Sequence, residues 1–246
     1  MHLGRRTALH FLVAALLMAA GSVAAPPRQA DAACAAAPGQ LDCDFQERIA
    51  TAESYLTTRP GSVGFVLRDR GTGAHYRNGQ AGDLVWTAST IKLAMVVDLL
   101  SRERAGQLRL TESDRAAMAA MLHSSDDDAA DTLWARYSGA DHESFNRNFP
   151  GYGMTDLTPQ RGFSTTFPYW GFQKSTADDL DRLMSYTLTR LPPAQTAQIV
   201  TEMQHVDPVQ QWGGEPGWLR RGRRDHHGTE SAAAGRPVLT TAATVA

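Results

Sequence analysis

Ser89 and Lys92 stand three positions apart in Ser89-Thr90-Ile91-Lys92, a spacing with chemical meaning. On a helix it sets both side chains on one face with their Cβ atoms about 5–6 Å apart. The amine can then take the proton of the hydroxyl and leave an activated nucleophile. Ser89 is expected to open a helix, between Trp86-Thr87-Ala88 and the apolar run Leu93 to Leu100. Its Oγ would then lie at the positive end of the helix dipole, where developing negative charge is favoured. Lys92 is the only charge between Asp83 and Asp98 and is expected to be buried. Burial disfavours the ammonium and suits the side chain to act as a base. Taken alone, Ser-x-x-Lys also arises by chance as an exposed serine beside a solvated lysine.

A further hydroxyl lies in Met121-Leu-His-Ser-Ser-Asp-Asp-Asp-Ala-Ala-Asp-Thr-Leu-Trp134. Ser89-x-x-Lys92 followed by Ser125-Asp126-Asp127 resembles the class A β-lactamases and penicillin-binding proteins, whose pattern runs S-x-x-K, S-D-N, K-T-G. The stretch from about Gly61 to His205 follows that family's order of elements, including Tyr169-Trp170-Gly171-Phe172 ahead of a late helix. The resemblance implies acyl transfer on a β-lactam or a cell-wall peptide. Ser89 would attack the carbonyl, with Lys92 as base directly or through Ser125. Ser125 would pass a proton to the leaving nitrogen, and Asp127 would face the substrate. The backbone N–H of Ser89 would be one oxyanion donor, a contribution of roughly 3–4 kcal/mol in catalysis. The residues alone allow Ser125 an equally good role as N-cap of a helix beginning near Asp128.

Three departures from the pattern bear on activity. Asp127 replaces an amide with a carboxylate that only accepts hydrogen bonds when ionised; it can pair with Lys92 instead. Asp126, Asp127 and Asp128 also form a dense negative patch that repels a carboxylate-bearing substrate. The loop from Leu157 to Ala177 contains neither Glu nor Asp, so it offers nothing to deprotonate a water and turnover of an acyl-enzyme is expected to be slow. Gln160 can hold a water but cannot take its proton, and Tyr169, Trp170 and Phe172 read as packing groups. No Lys-Thr-Gly, Lys-Ser-Gly or His-Thr-Gly follows Ser125, and His227-Gly228-Thr229 has the wrong order. The alternative function is a non-catalytic relic of the same fold that binds a cell-wall peptide or a partner protein.

The elements that must position these groups are α+β: a helical cluster against an antiparallel sheet whose C-terminal strands are missing or incomplete. Apolar spacing predicts a first helix over 45–56. A hairpin joins 62–69 to 74–78 through a Gly-containing turn. Helices follow near 89–105, 112–122, 128–137, 141–149, 175–190 and 193–205, the fifth of these capped by Ser175 or Thr176.

Residues 1–32 read as a secretory signal: Arg5-Arg6, the apolar core Phe11 to Ala20, and Ala30-Asp31-Ala32 as cleavage site. The core is too short to span a bilayer, so no membrane span is expected in the mature chain. Residues 33–205 form the hydrolase-like domain. Residues 206–246 read as a divergent or frame-shifted tail, with one strand available near Val238-Leu-Thr-Thr. Cys34 and Cys43 are the only cysteines; a short-loop disulfide between them, typically about 2–4 kcal/mol, suits an oxidising exterior. A lipid-modified Cys34 competes with it, and two free thiols stay open. A net charge of −2 makes no case for nucleic acid. No cofactor is expected, and no metal, since His226-His227 lacks partners at ligand spacing. The chain is expected to act as a monomer outside the cell or in the cell envelope.

Overall fold

The computed structural model describes residues 39–210 and 239–245; the signal segment, Cys34 and residues 211–238 lie outside them. In chain order the helices are α1 (Cys43–Leu56), α2 (Ile91–Arg104), α3 (Glu112–His123), α4 (Asp127–Tyr137), α5 (Ser144–Asn148), α6 (Ala177–Thr189) and α7 (Pro193–Gln204). The strands are β1 (Val63–Asp69), β2 (His75–Arg77), β3 (Val85–Trp86), β4 (Thr158–Pro159), β5 (Gln173–Ser175) and β6 (Leu239–Val245). This is the expected α+β arrangement of helices and antiparallel sheet.

Short polar side chains start four of the helices by accepting hydrogen bonds from N–H groups that helical bonding leaves unpaired. Asp42 accepts from Phe45 N at 3.0 Å in α1, and Asp126 from Ala129 N at 2.8 Å in α4. Thr176, one of the two expected caps, accepts from Asp179 N at 3.0 Å in α6. Thr111 and Asp114 form a reciprocal capping box at α3.

β1 lies between β2 and β6, antiparallel to both. The β6 register runs from Val63 opposite Val245 to Asp69 opposite Leu239, so the expected C-terminal strand closes one side of β1. Charge pairs fasten this sheet to α6. The Arg68 guanidinium grips Asp181 at 2.9 and 2.6 Å, and Arg77 reaches Asp178 at 2.6 Å. α1 is held to β2 by the hydroxyl of Tyr76, which donates to Glu53. That bond to a carboxylate, with burial adding to it, pushes the phenol up to about 12.

A second, smaller sheet of order β3-β5-β4, not among the sequence expectations, takes two of its strands from the stretch between Leu157 and Ala177. Val85 pairs with Ser175 and Trp86 with Lys174; Thr158 and Pro159 pair with Lys174 and Gln173. Strands of two or three residues are too short for an alternating pattern to show in the sequence. The helix expected over 141–149 is likewise divided, into α5 and a 3-10 turn from Phe149 to Tyr152, because Pro150 has no N–H to continue an α-helix.

The largest core surrounds α2, whose residues Ile91, Lys92 and Ala94 to Ser101 are all buried. A helix apolar on every side must lie inside its domain. α2 does so against Met118, Met121, Leu133, Phe145, Phe149 and Leu183, each fully buried apolar side chain contributing roughly 1.5–3 kcal/mol. The two buried charges of α2, Lys92 and Asp98, each have partners. Asp98 accepts from Asn148 at 2.8 Å, Tyr152 at 3.0 Å and Arg102 at 3.1 Å. Burial still outweighs these bonds and holds the Asp98 carboxyl above the ordinary range. Lys92 belongs to the site.

Candidate active site

Ser89 sits in a 3-10 turn, Ala88–Thr90, that leads directly into α2. The sequence expectation of a helix beginning at Ser89 is thus modified by one tighter turn, which leaves Ser89 at the surface. Its backbone N–H is among the first of that turn, a position that helical bonding leaves unpaired. The small sheet anchors the approach to this turn: Thr87 N donates to Gln173 O at 2.9 Å. Ala88 carries φ of 42°, a left-handed conformation costly for a residue with a Cβ.

Lys92 rises from the first turn of α2 and is only 1% exposed. Its Nζ lies 3.2 Å from Ser89 Oγ, 3.3 Å from Ser125 Oγ and 2.6 Å from Ser125 O. It also bonds Asp127 Oδ1 and faces the ring of Trp170, 4.9 Å from the centroid. The residues expected to act together are therefore in contact through one amine. As an ammonium it has three protons for four acceptors; as a neutral amine it donates to Asp127 and Ser125 O and turns a lone pair to a hydroxyl.

Ser125 reaches this place through the junction between α3 and α4. Ser124 closes α3 with its N–H on Ala120 O, Ser125 follows at φ of 58°, and Asp126 opens α4. The N-cap role open to Ser125 in the sequence belongs to Asp126. A Ser-Asp-Asp run offers three good caps in succession, and only the left-handed bend after α3 selects among them. That bend is a position where glycine is usual.

Asp127, the first residue of α4, is turned to Lys92, while its side chain stays 72% exposed. The loop between β4 and β5 closes over the amine from the other side. Trp170 is 6% exposed and its Nε1 donates to Asp131 Oδ1 at 2.7 Å, an oxygen that also accepts from the Tyr169 hydroxyl. Burial, with the Asp131 carboxylate adding to it, pushes the Tyr169 phenol up and keeps it a donor. Sequence reasoning missed Asp131, although one helical turn from Asp127 puts it on the same face of α4. It also missed the rim beside Ser89. There Trp86 and Phe163 meet edge to face at 5.1 Å between ring centroids, and the Lys174 ammonium lies 5.1 Å from the Trp86 ring. Gln160 is folded back, its side-chain amide donating to Thr158 O at 2.9 Å. Cys43 begins α1, and Cys34, its expected disulfide partner, lies outside the described residues.

No family model matches the chain. Among curated proteins it is 28% identical over 191 residues to proteins of Mycobacterium tuberculosis and Mycobacterium bovis provisionally named lipoprotein LppW. The match covers 75% of this chain and 56% of theirs, so it spans little more than half the length of these relatives. Among solved structures it is similar to a β-lactamase from Xanthomonas campestris, with TM-score 0.53 and 22% identity over 66% of this chain and 70% of that one. A β-lactamase from Streptosporangium roseum gives 0.54 and 14%, covering 66% and 71%. A class A β-lactamase from Mycobacterium abscessus gives 0.50 and 16%, covering 66% and 70%. At these identities the likeness is one of fold, and the fold is β-lactamase-like.

Proposed function

We propose that this chain is an exported serine hydrolase that works by acyl transfer through Ser89, on β-lactams or the peptides of the cell wall. The observation that carries the reading is one buried amine within hydrogen-bonding reach of two hydroxyls, Ser89 at 3.2 Å and Ser125 at 3.3 Å. Lys92 takes the proton of Ser89 as Oγ adds to the carbonyl and passes it to Ser125, which hands its own proton to the departing nitrogen. The Ser89 N–H stabilises the oxyanion, and Asp127 faces the substrate. No cofactor takes part in this scheme, and the protein acts as a monomer.

Export is supported by the basic and apolar pattern of residues 5–20, and the lipoprotein name of the mycobacterial relatives favours the cell envelope as the destination. A Cys34–Cys43 disulfide belongs to this reading; a lipid on Cys34 is the competing state, and intact mass of the exported protein separates them.

The test is incubation with a fluorescent penicillin followed by intact-mass measurement. The expected result is a covalent adduct on Ser89, absent from Ser89→Ala. No adduct and no hydrolysed penicillin with a cooperatively folded protein would leave the second reading, a non-catalytic binding relic. The contact between Lys92 and Asp127 favours that relic, because it holds the amine's proton in place.

A further inference from the structure

We infer that Asp127 is the base that hydrolyses the Ser89 acyl-ester, an inference that rests on the acyl-transfer reading above. Release of the acyl group requires a water to lose a proton as it attacks the ester, and a carboxylate is the group best able to accept it near neutral pH. The loop from Leu157 to Ala177 has none. Of the carboxylates on α4 and its cap, Asp127 is the one that contacts the amine, and two others are engaged elsewhere. Asp126 accepts from Ala129 N, and Asp131 Oδ1 takes both the Tyr169 hydroxyl and Trp170 Nε1. Asp127 differs. One oxygen is on Lys92 Nζ, which itself lies 3.2 Å from Ser89 Oγ, while the side chain is 72% exposed and open to water.

The step balances without a co-reactant. Water oxygen adds to the ester carbonyl as Asp127 takes its proton. The C–Oγ bond then breaks, and the proton held by Asp127 reaches Oγ through the neutral Lys92 amine, which gives one proton to Oγ as it takes one from Asp127. A carboxylic acid leaves, and Ser89, Lys92 and Asp127 regain their starting states. An amide at position 127 could hold Lys92 by its oxygen but could not carry the proton.

Asp127→Asn tests this, since it keeps the side chain's size and leaves the α4 cap on Asp126. The protein is labelled with fluorescent penicillin, freed of excess reagent, and followed by intact mass. The expected result is an adduct on Asp127→Asn that survives at least about 100-fold longer than on the parent, with Asp127→Glu recovering part of the release. Asp127→Ser must give the same long-lived adduct, which guards against a fold defect in the first variant. Release from Asp127→Asn at the parent's rate overturns the role of Asp127 and leaves acyl transfer standing. A parent that neither forms an adduct nor hydrolyses penicillin removes acyl transfer and this role together.

Discussion

Trp170 lies face-on to Nζ of Lys92 at 4.9 Å while its own N–H is tied to Asp131 on α4 at 2.7 Å. One indole therefore does two things. Its face covers a buried amine, an interaction that reaches about 2 kcal/mol when that amine is charged and desolvated. Its edge fastens the loop to the helix that carries Asp127. The same contact that closes the loop thereby keeps water from the amine.

Trp170→Ala should uncover Lys92. The lost packing costs about 3–5 kcal/mol, measured by urea denaturation. The more specific readout is modification by an amine acylating reagent, scored peptide by peptide. Lys92 is protected in the parent and becomes labelled in the variant. Trp170→Phe keeps a ring over the amine and loses only the bond to Asp131, so its cost is about 1 kcal/mol and Lys92 stays protected. Equal labelling of Lys92 in parent and Trp170→Ala would show that other groups shield it.

Lys92→Met separates chemistry from stability. The lysine is buried, but Asp127 is exposed and returns to water when its partner goes. The strong penalty for orphaning one member of a buried pair should therefore not arise. A methionine of similar length fills the space and keeps a favourable sulfur contact with the Trp170 ring, so the main loss is the donor to Ser125 O. The expected change in unfolding free energy is below about 1 kcal/mol, while penicillin labelling of Ser89 falls 10²-fold or more. A drop of several kcal/mol would instead make Lys92 a structural strut.

Much of this was legible in the sequence, and the failures have physical causes. α2 announced itself because a continuous apolar stretch from Leu93 to Leu100 interrupted by one aspartate can only be an interior element, and the hairpin because Gly71 and Gly73 mark a turn between the runs 62–69 and 74–78. Ser89, Lys92 and Ser125 were visible as motifs and do converge, and burial of Lys92 followed from its apolar neighbours. β3, β4 and β5 were invisible because two or three residues carry no period. The choice of Asp126 over Ser125 as cap, and the strained φ at Ala88, depend on backbone directions set by packing between elements. Asp131 was hidden for another reason: its partners, Tyr169 and Trp170, lie 38 and 39 positions away in the chain.

The left-handed conformation of Ser125 predicts a conflict between stability and activity. A residue with a Cβ at φ of 58° costs about 1–2 kcal/mol, and glycine pays part of that back through the greater freedom of the unfolded chain. Ser125→Gly should therefore stabilise the protein by about 0.5–1 kcal/mol while removing the hydroxyl beside Lys92 and slowing acylation at least about 10²-fold. Ser125→Ala keeps the strain and loses the hydroxyl, so it should slow acylation equally with no gain in stability. Chemical denaturation and the rate of adduct formation, measured on both variants, check this. If Ser125→Gly were less stable than the parent, the bend would not be strained.

Asp114 gives the fold an acid-sensitive joint away from the site. Its carboxylate, buried at the start of α3, accepts from Thr111 N at 2.9 Å, Thr111 Oγ1 at 2.7 Å and the Tyr137 hydroxyl at 2.7 Å, and it pairs with Arg136 of α4. Burial works to raise this group, but the bonds from Tyr137 and Thr111, with the charge of Arg136, outweigh it and hold the carboxyl below its ordinary 3.8. A depressed value in the folded state means that the native protein binds this proton less readily than the unfolded chain does. Its stabilisation is therefore complete above pH 3.8 and drains away as the pH falls through the lower folded value. Asp114→Asn should cost about 2–3 kcal/mol at pH 7, the range for hydrogen bonds to a charged group. Urea titrations repeated down to about pH 2 should find the gap between parent and variant closing once the carboxylate is protonated. A gap that stays constant over that range would place the effect in packing or cap geometry rather than in the charge.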